Sequence, residues 1–164
     1  MKLFITGTPG TGKSTLSLAL KEELNYLEIF EIKELLIKFN LLEEYEKERD
    51  TTIFDGLLAK NTIQNFLKLK DNYVLVGPVL PFDEIEFTHI IVLTCSLKLV
   101  LEERLKKRKY KKSKIEENLE AELLGVILGE VMDDFPDRKD ILILDSCKSS
   151  IQELVSVIKN LLIK

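Results

Sequence analysis

The sequence contains little glycine or proline, few cysteines and no long apolar run. Its seven glycines and four prolines are too few for a fibrous or low-complexity chain. Apolar stretches such as residues 141–144 fall far short of the roughly 18–20 residues of a membrane span. No apolar segment follows a basic start, so neither a membrane anchor nor a secretory signal is expected. Apolar residues still make up 45% of the 164 residues, which predicts a single globular domain over residues 1–164.

Charge and cysteine content restrict the partners and the compartment. A net charge of −4 does not suit a protein that coats nucleic acid, and DNA is not expected as a partner. Cys95 and Cys147 have neither a metal-binding spacing nor the partner number of a disulfide framework. The sequence therefore predicts two reduced, buried thiols in a cytoplasmic protein.

Short apolar strands alternate with helical patterns along the chain. The strands are apolar at consecutive positions, which is typical of a parallel sheet covered by helices on both faces. A charged connection is predicted at residues 43–50. The sequence predicts an α/β fold, a P-loop three-layer sandwich with about five parallel strands and a short lid. The strands are predicted at residues 3–5, 26–32, 73–77, 89–94 and 141–145.

Two helix starts carry a capping-box pattern, in which a serine is followed three residues later by a glutamate. The first pair is Ser113 and Glu116, and the helix that it opens is expected to run to about residue 132. The second pair is Ser150 and Glu153, and apolar residues repeat at helical spacing after it. Both pairs predict where a helix begins.

A glycine-rich segment lies between the first strand and the first helical pattern. Residues 7–15 read GTPGTGKST, which is the phosphate-binding P-loop in the strand–loop–helix context that the motif requires. Glycines leave backbone N–H groups free to point at a phosphate, and Lys13 adds a charge on the β- and γ-phosphates. Ser14 is expected to bind Mg²⁺ through its hydroxyl. The chain lacks the Asn-Lys-x-Asp run of GTP-specific proteins, which disfavours guanine.

A basic segment interrupts the acidic chain between residues 104 and 114, where eight of eleven residues are lysine or arginine. It lies between two predicted helices, where a flap could close over the phosphate loop. Arg104 and Arg108 are two of only four arginines, and arginine offers forked donors to phosphate oxygens. We expect both to neutralise the transferring phosphoryl group as catalytic residues with Lys13. The alternative is a solvated helix face.

Three segments resemble the adenylate kinase isoenzyme 6 family of small P-loop kinases. Residues 7–15 are similar to the family's GTPGxGK[ST]T loop, and residues 103–110 resemble its ERLxxRGY lid entry. Residues 44–55 resemble its tyrosine-led acidic segment. The similarity covers nearly the whole chain.

The resemblance implies an activity and partners. It implies a monophosphate-binding insertion near residues 29–52, a lid near residues 103–113, and Mg²⁺-dependent transfer of a phosphoryl group from ATP to AMP. As an alternative it implies an ATPase that helps to mature the small ribosomal subunit, with rRNA and a ribosomal protein of the S11 type as partners. The nucleotide-binding residues are expected to be Gly7, Gly10, Thr11, Gly12, Lys13, Ser14, Thr15 and Arg108.

One departure from the family pattern affects hydrolysis. Gly77, Pro78 and Val79 stand where the family has an acid, and often a histidine, after a strand. The missing acid disfavours hydrolysis more than transfer, because phosphoryl transfer depends on positioning and charge. The acidic side chains in the following loop are open alternatives, namely Asp83, Glu84 and Glu86.

Two further departures concern the lid and the acceptor. Lys109 replaces the lid glycine of the family. Residues 31–40 contain no arginine that could bind the acceptor phosphate, which leaves Lys33 or Lys38 for that role.

Overall fold

The structure, a computed structural model, describes residues 1–46, 51–80 and 82–162. In chain order the strands are β1 (Lys2–Thr6), β2 (Glu28–Glu31), β3 (Leu42–Glu46), β4 (Thr51–Phe54), β5 (Tyr73–Val76), β6 (His89–Thr94) and β7 (Ile141–Asp145). The helices are α1 (Lys13–Glu23), α2 (Ile32–Lys38), α3 (Gly56–Leu67), α4 (Lys98–Lys107), α5 (Lys112–Leu123), α6 (Val126–Asp134) and α7 (Ile151–Leu162). In the part of the chain that is described, none of the helices is long and apolar enough to cross a membrane.

Five of the strands form a parallel sheet in the order β2-β5-β1-β6-β7. The first strand is therefore central, with β5 on one side and β6 on the other. Because all five strands run in the same direction, the segments that follow them emerge at one edge of the sheet. Ligands of open parallel sheets bind at this carboxyl edge. The phosphate loop, which follows β1, leaves the middle of that edge.

Two apolar cores cover the two faces of the sheet. Phe4 packs in the core formed with α2, α3 and α6, whereas its neighbours Leu3 and Ile5 pack in the core formed with α1 and α7. Successive side chains of a strand point to opposite faces, so a strand covered by helices on both sides must be apolar at every position. The predicted α/β three-layer sandwich of about five parallel strands is confirmed.

The segment between α2 and α3 contains an antiparallel pair, β3 and β4. The sequence analysis predicts only a charged connection here, so the strand pair is a correction. Thr51, Thr52 and Ile53 are β-branched, which favours a strand over a loop. All of β3 and the first half of β4 fall in the predicted insertion at residues 29–52, of which residues 47–50 lie outside the described residues.

The two serine–glutamate pairs differ in the structure. Ser150 donates from its backbone N and from its Oγ to Glu153 Oε2, at 2.7 and 2.9 Å, so this pair is a capping box. By contrast, α5 begins at Lys112 without a side-chain cap, and the prediction from Ser113 is wrong. The helix expected to run to residue 132 is broken at Gly125, whose φ is 64°. Glycine adopts this left-handed conformation readily and ends helices for that reason.

Both cysteines are joined in a disulfide, Cys95–Cys147, so the prediction of reduced thiols is wrong. The two residues are 52 positions apart in sequence, but their Cα atoms are 5.1 Å apart. The cause is the sheet: β6 and β7 are parallel neighbours with Thr94 opposite Asp145, so the residues after both strands meet at one edge. The cytoplasmic location rested partly on reduced thiols and stays a prediction.

Candidate nucleotide-binding site

The phosphate loop packs tightly against the end of β6. A Cβ atom on Gly7 would lie 2.1 Å from the backbone oxygen of Leu93, so no larger residue fits there. The buried Thr11 donates from its Oγ1 to the backbone oxygen of Thr8 at 2.9 Å, which closes the turn. Gly12, with φ 101°, is the N-cap of α1. The loop therefore ends at a helix N-terminus, whose partial positive charge favours a phosphate.

Lys13 places a partly buried cation inside this loop. Its Nζ donates to the backbone oxygens of Gly7 at 2.6 Å and Thr8 at 3.1 Å. Burial, together with the nearby Arg108 guanidinium, lowers the pKa of Lys13 to about 8, while Glu122 and Glu31 oppose the shift. Glutamates and an arginine from distant parts of the chain are thus close enough to affect its charge.

A cavity of about 180 Å³ lies beside the phosphate loop. It brings together residues of the loop, of the β2–α2 junction, of the end of β5 and of the turn after α4. The lining residues are Pro9, Lys13, Ser14, Glu31, Lys33, Val76, Gly77, Pro78, Arg108 and Tyr110. Lys13, Ser14 and Arg108, which the sequence analysis assigns to one site, therefore do share one cavity.

The carboxylate nearest to Ser14 comes from β2 and was missed by the sequence analysis. Ser14 Oγ donates to Glu31 Oε1 at 2.6 Å, and Glu31 is the last residue of that strand. A hydroxyl paired with a carboxylate supplies the hard oxygen donors that Mg²⁺ prefers. The one signal available in sequence was an acid near the end of the strand predicted at residues 26–32, a feature too common to single out Glu31.

The two candidate lysines for the acceptor phosphate have different surroundings. Lys33, on the first turn of α2, lines the cavity. Lys38, at the other end of α2, has its Nζ 4.7 Å from the ring centroid of Phe66. A cation held over an aromatic ring outside the cavity is a packing feature. The structure therefore favours Lys33 of the two.

Sequence comparisons agree with this geometry. A family model described as "AAA domain" matches residues 3–125. An adenylate kinase isoenzyme 6 homolog from Plasmodium falciparum is 34% identical over 82% of this chain and 80% of its own. A relative from Thermococcus onnurineus, whose name also refers to adenylate kinase, is 35% identical over 99% of this chain and 84% of its own.

The chain belongs to the adenylate kinase isoenzyme 6 family. Its fold is also that of more distant kinases. The structure of a deoxyadenosine kinase from M. mycoides with bound dATP matches it with a TM-score of 0.65 and 20% identity, over 100% of both chains. With its family relatives, the protein is a nucleotide-binding P-loop kinase.

The glycine that replaces the family's acid after β5 has a packing reason. A Cβ atom on Gly77 would lie 2.7 Å from the Cβ of Ile32, the first residue of α2. The start of α2 therefore lies directly against the backbone of Gly77, which leaves no room for an aspartate there. Glu31 precedes Ile32, so the same close approach brings its carboxylate to Ser14.

The acids of the next loop do not replace the missing one. Asp83 forms an ion pair with Lys60 at 2.7 Å, and Glu84 forms one with Lys68 at 2.5 Å. Both partners lie on or just after α3, and neither acid lines the cavity. Glu86 does not line it either.

The predicted lid at residues 103–113 spans the end of α4, a short turn and the start of α5. Arg108 is the C-cap of α4 and lies in the cavity, although its side chain is exposed. Lys109 has φ 58°, the left-handed conformation that suits the glycine of the family pattern. Lys109 therefore holds, with a side chain, a backbone conformation that glycine adopts at lower cost.

The remaining predicted residues are placed around the cavity rather than in it. Arg104 Nη1 donates to Ser146 Oγ at 2.9 Å and to the Gly10 backbone oxygen at 3.5 Å. Its Nη2 donates to the Ser146 backbone oxygen at 3.2 Å. Thr15 is exposed in the first turn of α1. The phosphate contact predicted for Arg104 stays a prediction.

Proposed function

We propose that this protein is an adenylate kinase that transfers the γ-phosphoryl group of Mg²⁺·ATP to AMP. The observation that carries the proposal is the shared cavity, which is lined by Lys13 and Ser14 of the phosphate loop together with Arg108, Glu31 and Lys33 from other parts of the chain. Phosphoryl transfer needs little covalent chemistry from the protein and depends on such positioned charges.

The donor side would hold ATP. Backbone N–H groups of residues 7–15 and the N-terminus of α1 bind the β- and γ-phosphates, and Lys13 adds its charge to them. Ser14 and Glu31 would hold Mg²⁺, which partly neutralises the phosphate oxygens when it is bound. Among the described residues no cluster of three or more His, Cys, Asp or Glu side chains could hold a metal alone. The phosphates of bound ATP and water would complete the ion's coordination.

The acceptor side would hold AMP, with Lys33 on its phosphate. An oxygen of that phosphate attacks the γ-phosphorus of ATP as the bond from the γ-phosphorus to the β–γ bridging oxygen breaks, which gives two ADP. The attacking oxygen is already ionised near neutral pH, so no general base is needed. Arg108, which lines the cavity, would neutralise the charge on the transferring group.

The same cavity disfavours hydrolysis as the main reaction. No side chain extends from Gly77, so the strand end that would orient a water molecule carries no acid. An ATPase that assembles with rRNA and a ribosomal protein of the S11 type is the second candidate. It predicts phosphate release that does not depend on AMP.

The test is a coupled assay of ADP formation from ATP with each nucleoside monophosphate and with none. We expect formation that requires both AMP and Mg²⁺. Arg108→Ala should lower kcat by about 10²-fold or more, as expected for a group that stabilises transition-state charge. Lys107→Ala removes a neighbouring exposed charge on α4 and should leave kcat nearly unchanged. Full activity of Arg108→Ala would refute the role of the lid, and AMP-independent phosphate release would favour the second candidate.

A further inference from the structure

The disulfide Cys95–Cys147 lies at the same edge of the sheet as the phosphate loop. Cys95 directly follows β6, and Cys147 lies two residues after β7. Cys95 packs in a small buried cluster with Leu101 and Leu105 of α4 and Ile115 of α5. The bond thus fastens the β7–α7 loop to the cluster that lies under the two lid helices.

This cluster and this loop both contact the phosphate loop. A Cβ atom on Gly10 would lie 2.9 Å from Leu101 Cδ1 and 3.1 Å from Leu105 Cδ2, so the cluster packs directly on the backbone of Gly10. Arg104 bonds both to the Gly10 backbone oxygen and to Ser146, the residue before Cys147. A change in the order of the β7–α7 loop is therefore transmitted to the phosphate loop through one arginine and one packing contact.

The two sulfur atoms differ in access, and the backbone around them is held independently of the bond. Cys95 is 2% exposed, whereas Cys147 is only half-buried. Asp145 Oδ1 accepts from the backbone N of Ser96 at 3.3 Å and of Cys147 at 2.9 Å. Asp145 therefore keeps the two segments near each other when the bond is reduced, which allows the bond to form again.

We propose that Cys95 and Cys147 are a reversible redox-modification site that sets the affinity of the phosphate loop for nucleotide. A low-molecular-weight thiol such as glutathione attacks Cys147 Sγ as its thiolate, and Cys95 Sγ leaves as a thiolate and takes up a proton. A second thiol attacks the mixed disulfide and releases Cys147 as a thiol. In balance, one protein disulfide and two thiols give two protein thiols and one external disulfide, and oxidised glutathione drives the reverse.

The disulfide-bonded state should bind nucleotide more tightly. The disulfide restrains the β7–α7 loop, whose Ser146 holds Arg104, and Arg104 in turn contacts the phosphate loop at Gly10. A phosphate loop that is already ordered loses less conformational entropy when it binds a ligand. We expect Mg²⁺·ATP to bind about three- to tenfold more weakly after reduction. This inference rests on the proposed function, because it assumes that ATP binds at the phosphate loop.

The experiment is calorimetric titration of the full chain with Mg²⁺·ATP after equilibration with oxidised glutathione, after reduction, and after reoxidation. Thiol alkylation and mass spectrometry report the state of both cysteines in each sample. The affinity should fall on reduction and return on reoxidation. Cys147→Ser and Cys95→Ser should each have the affinity of the reduced protein in every buffer. Since the main comparison uses the unaltered chain, it does not depend on the folding of either variant.

Three results would overturn the inference. One is an affinity equal within twofold in the oxidised and reduced states, which would make the bond a structural link only. Another is the absence of the disulfide in the oxidised sample. The third is no ATP binding in either state, and this result alone would also remove the proposed function.

Discussion

The two sides of the cavity are built in different ways. The donor side is one continuous segment, residues 7–15, whose backbone and lysine are positioned by local structure. The other lining residues, here called the assembled side, come from separate places, with Glu31 and Lys33 at the β2–α2 junction and Arg108 at the end of α4. A continuous motif carries its geometry in its own spacing, whereas an assembled side depends on how the elements pack.

The contact between β5 and α2 shows what this difference allows. The assembled side has no acid at residue 77, where the backbone lies against Ile32, and Ser14 instead has a carboxylate from the end of β2. The two positions exclude each other because α2 can approach β5 only where residue 77 has no side chain. The proposed magnesium carboxylate of this side therefore depends on how α2 packs against β5, whereas Lys13 and Ser14 depend only on the phosphate loop.

The largest effect should come from the continuous side. Lys13→Ala removes the partly buried cation of the loop and should lower the rate of ADP formation by about 10²–10³-fold, the cost of losing a preorganised charge at a transition state. Lys21→Ala, an exposed position in the last turn of the same helix, is the matched control and should have normal activity. The coupled ADP assay measures both. Equal rates in the two variants would show that the loop does not hold the donor.

The next largest loss of activity should come from Glu31, the carboxylate of the assembled side. Glu31→Gln keeps an oxygen that can accept from Ser14 but removes the charge, so the fold should be kept while kcat and Mg²⁺ affinity fall by about 10–100-fold. Glu28→Gln, on the same strand, loses only a surface ion pair with Lys70 and should change little. Activity measured against Mg²⁺ concentration distinguishes them. An unchanged Mg²⁺ dependence in Glu31→Gln would mean that Glu31 does not hold the magnesium ion.

The same division decides what could be predicted from sequence. The sheet follows from runs of apolar residues, and Lys13 and Ser14 follow from the phosphate-loop motif, because both signals are local. Glu31 and the disulfide could not be predicted, since each depends on which strands are neighbours: β2 beside β5 for Glu31, and β6 beside β7 for Cys95 and Cys147. The Ser113–Glu116 pattern shows that a local signal can also fail. The helix begins at Lys112, one residue before the predicted start, so Ser113 is not in the capping position.

A smaller effect should distinguish the two lysines of α2. Lys33→Ala should raise the KM for AMP about tenfold and leave ATP binding unchanged, because Lys33 belongs to α2 and not to the phosphate loop. Lys38→Ala removes a cation from the ring of Phe66 and should leave both nucleotides unaffected. Steady-state kinetics with each substrate varied in turn test this. A raised KM for AMP in Lys38→Ala alone would reverse the assignment of the acceptor side.

The smallest effect should be a pH dependence of the affinity for Mg²⁺·ATP, which we expect to come from Lys13 of the phosphate loop. Burial, and then Arg108, lower the pKa of Lys13 to about 8, so its protonated fraction falls from about three-quarters at about pH 7.5 to about one-tenth at about pH 9. The charge that attracts phosphate is the protonated form, so the affinity for Mg²⁺·ATP should fall as the pH rises, by at most about eightfold. A bound phosphate raises the pKa of Lys13 and limits the loss. Calorimetric titration across this range measures the affinity, and the residual binding of Lys13→Arg should be flat, because arginine stays charged. If the affinity of Lys13→Arg for Mg²⁺·ATP fell by the same factor, the pH dependence would come from another group. Lys13 would then stay protonated over this pH range.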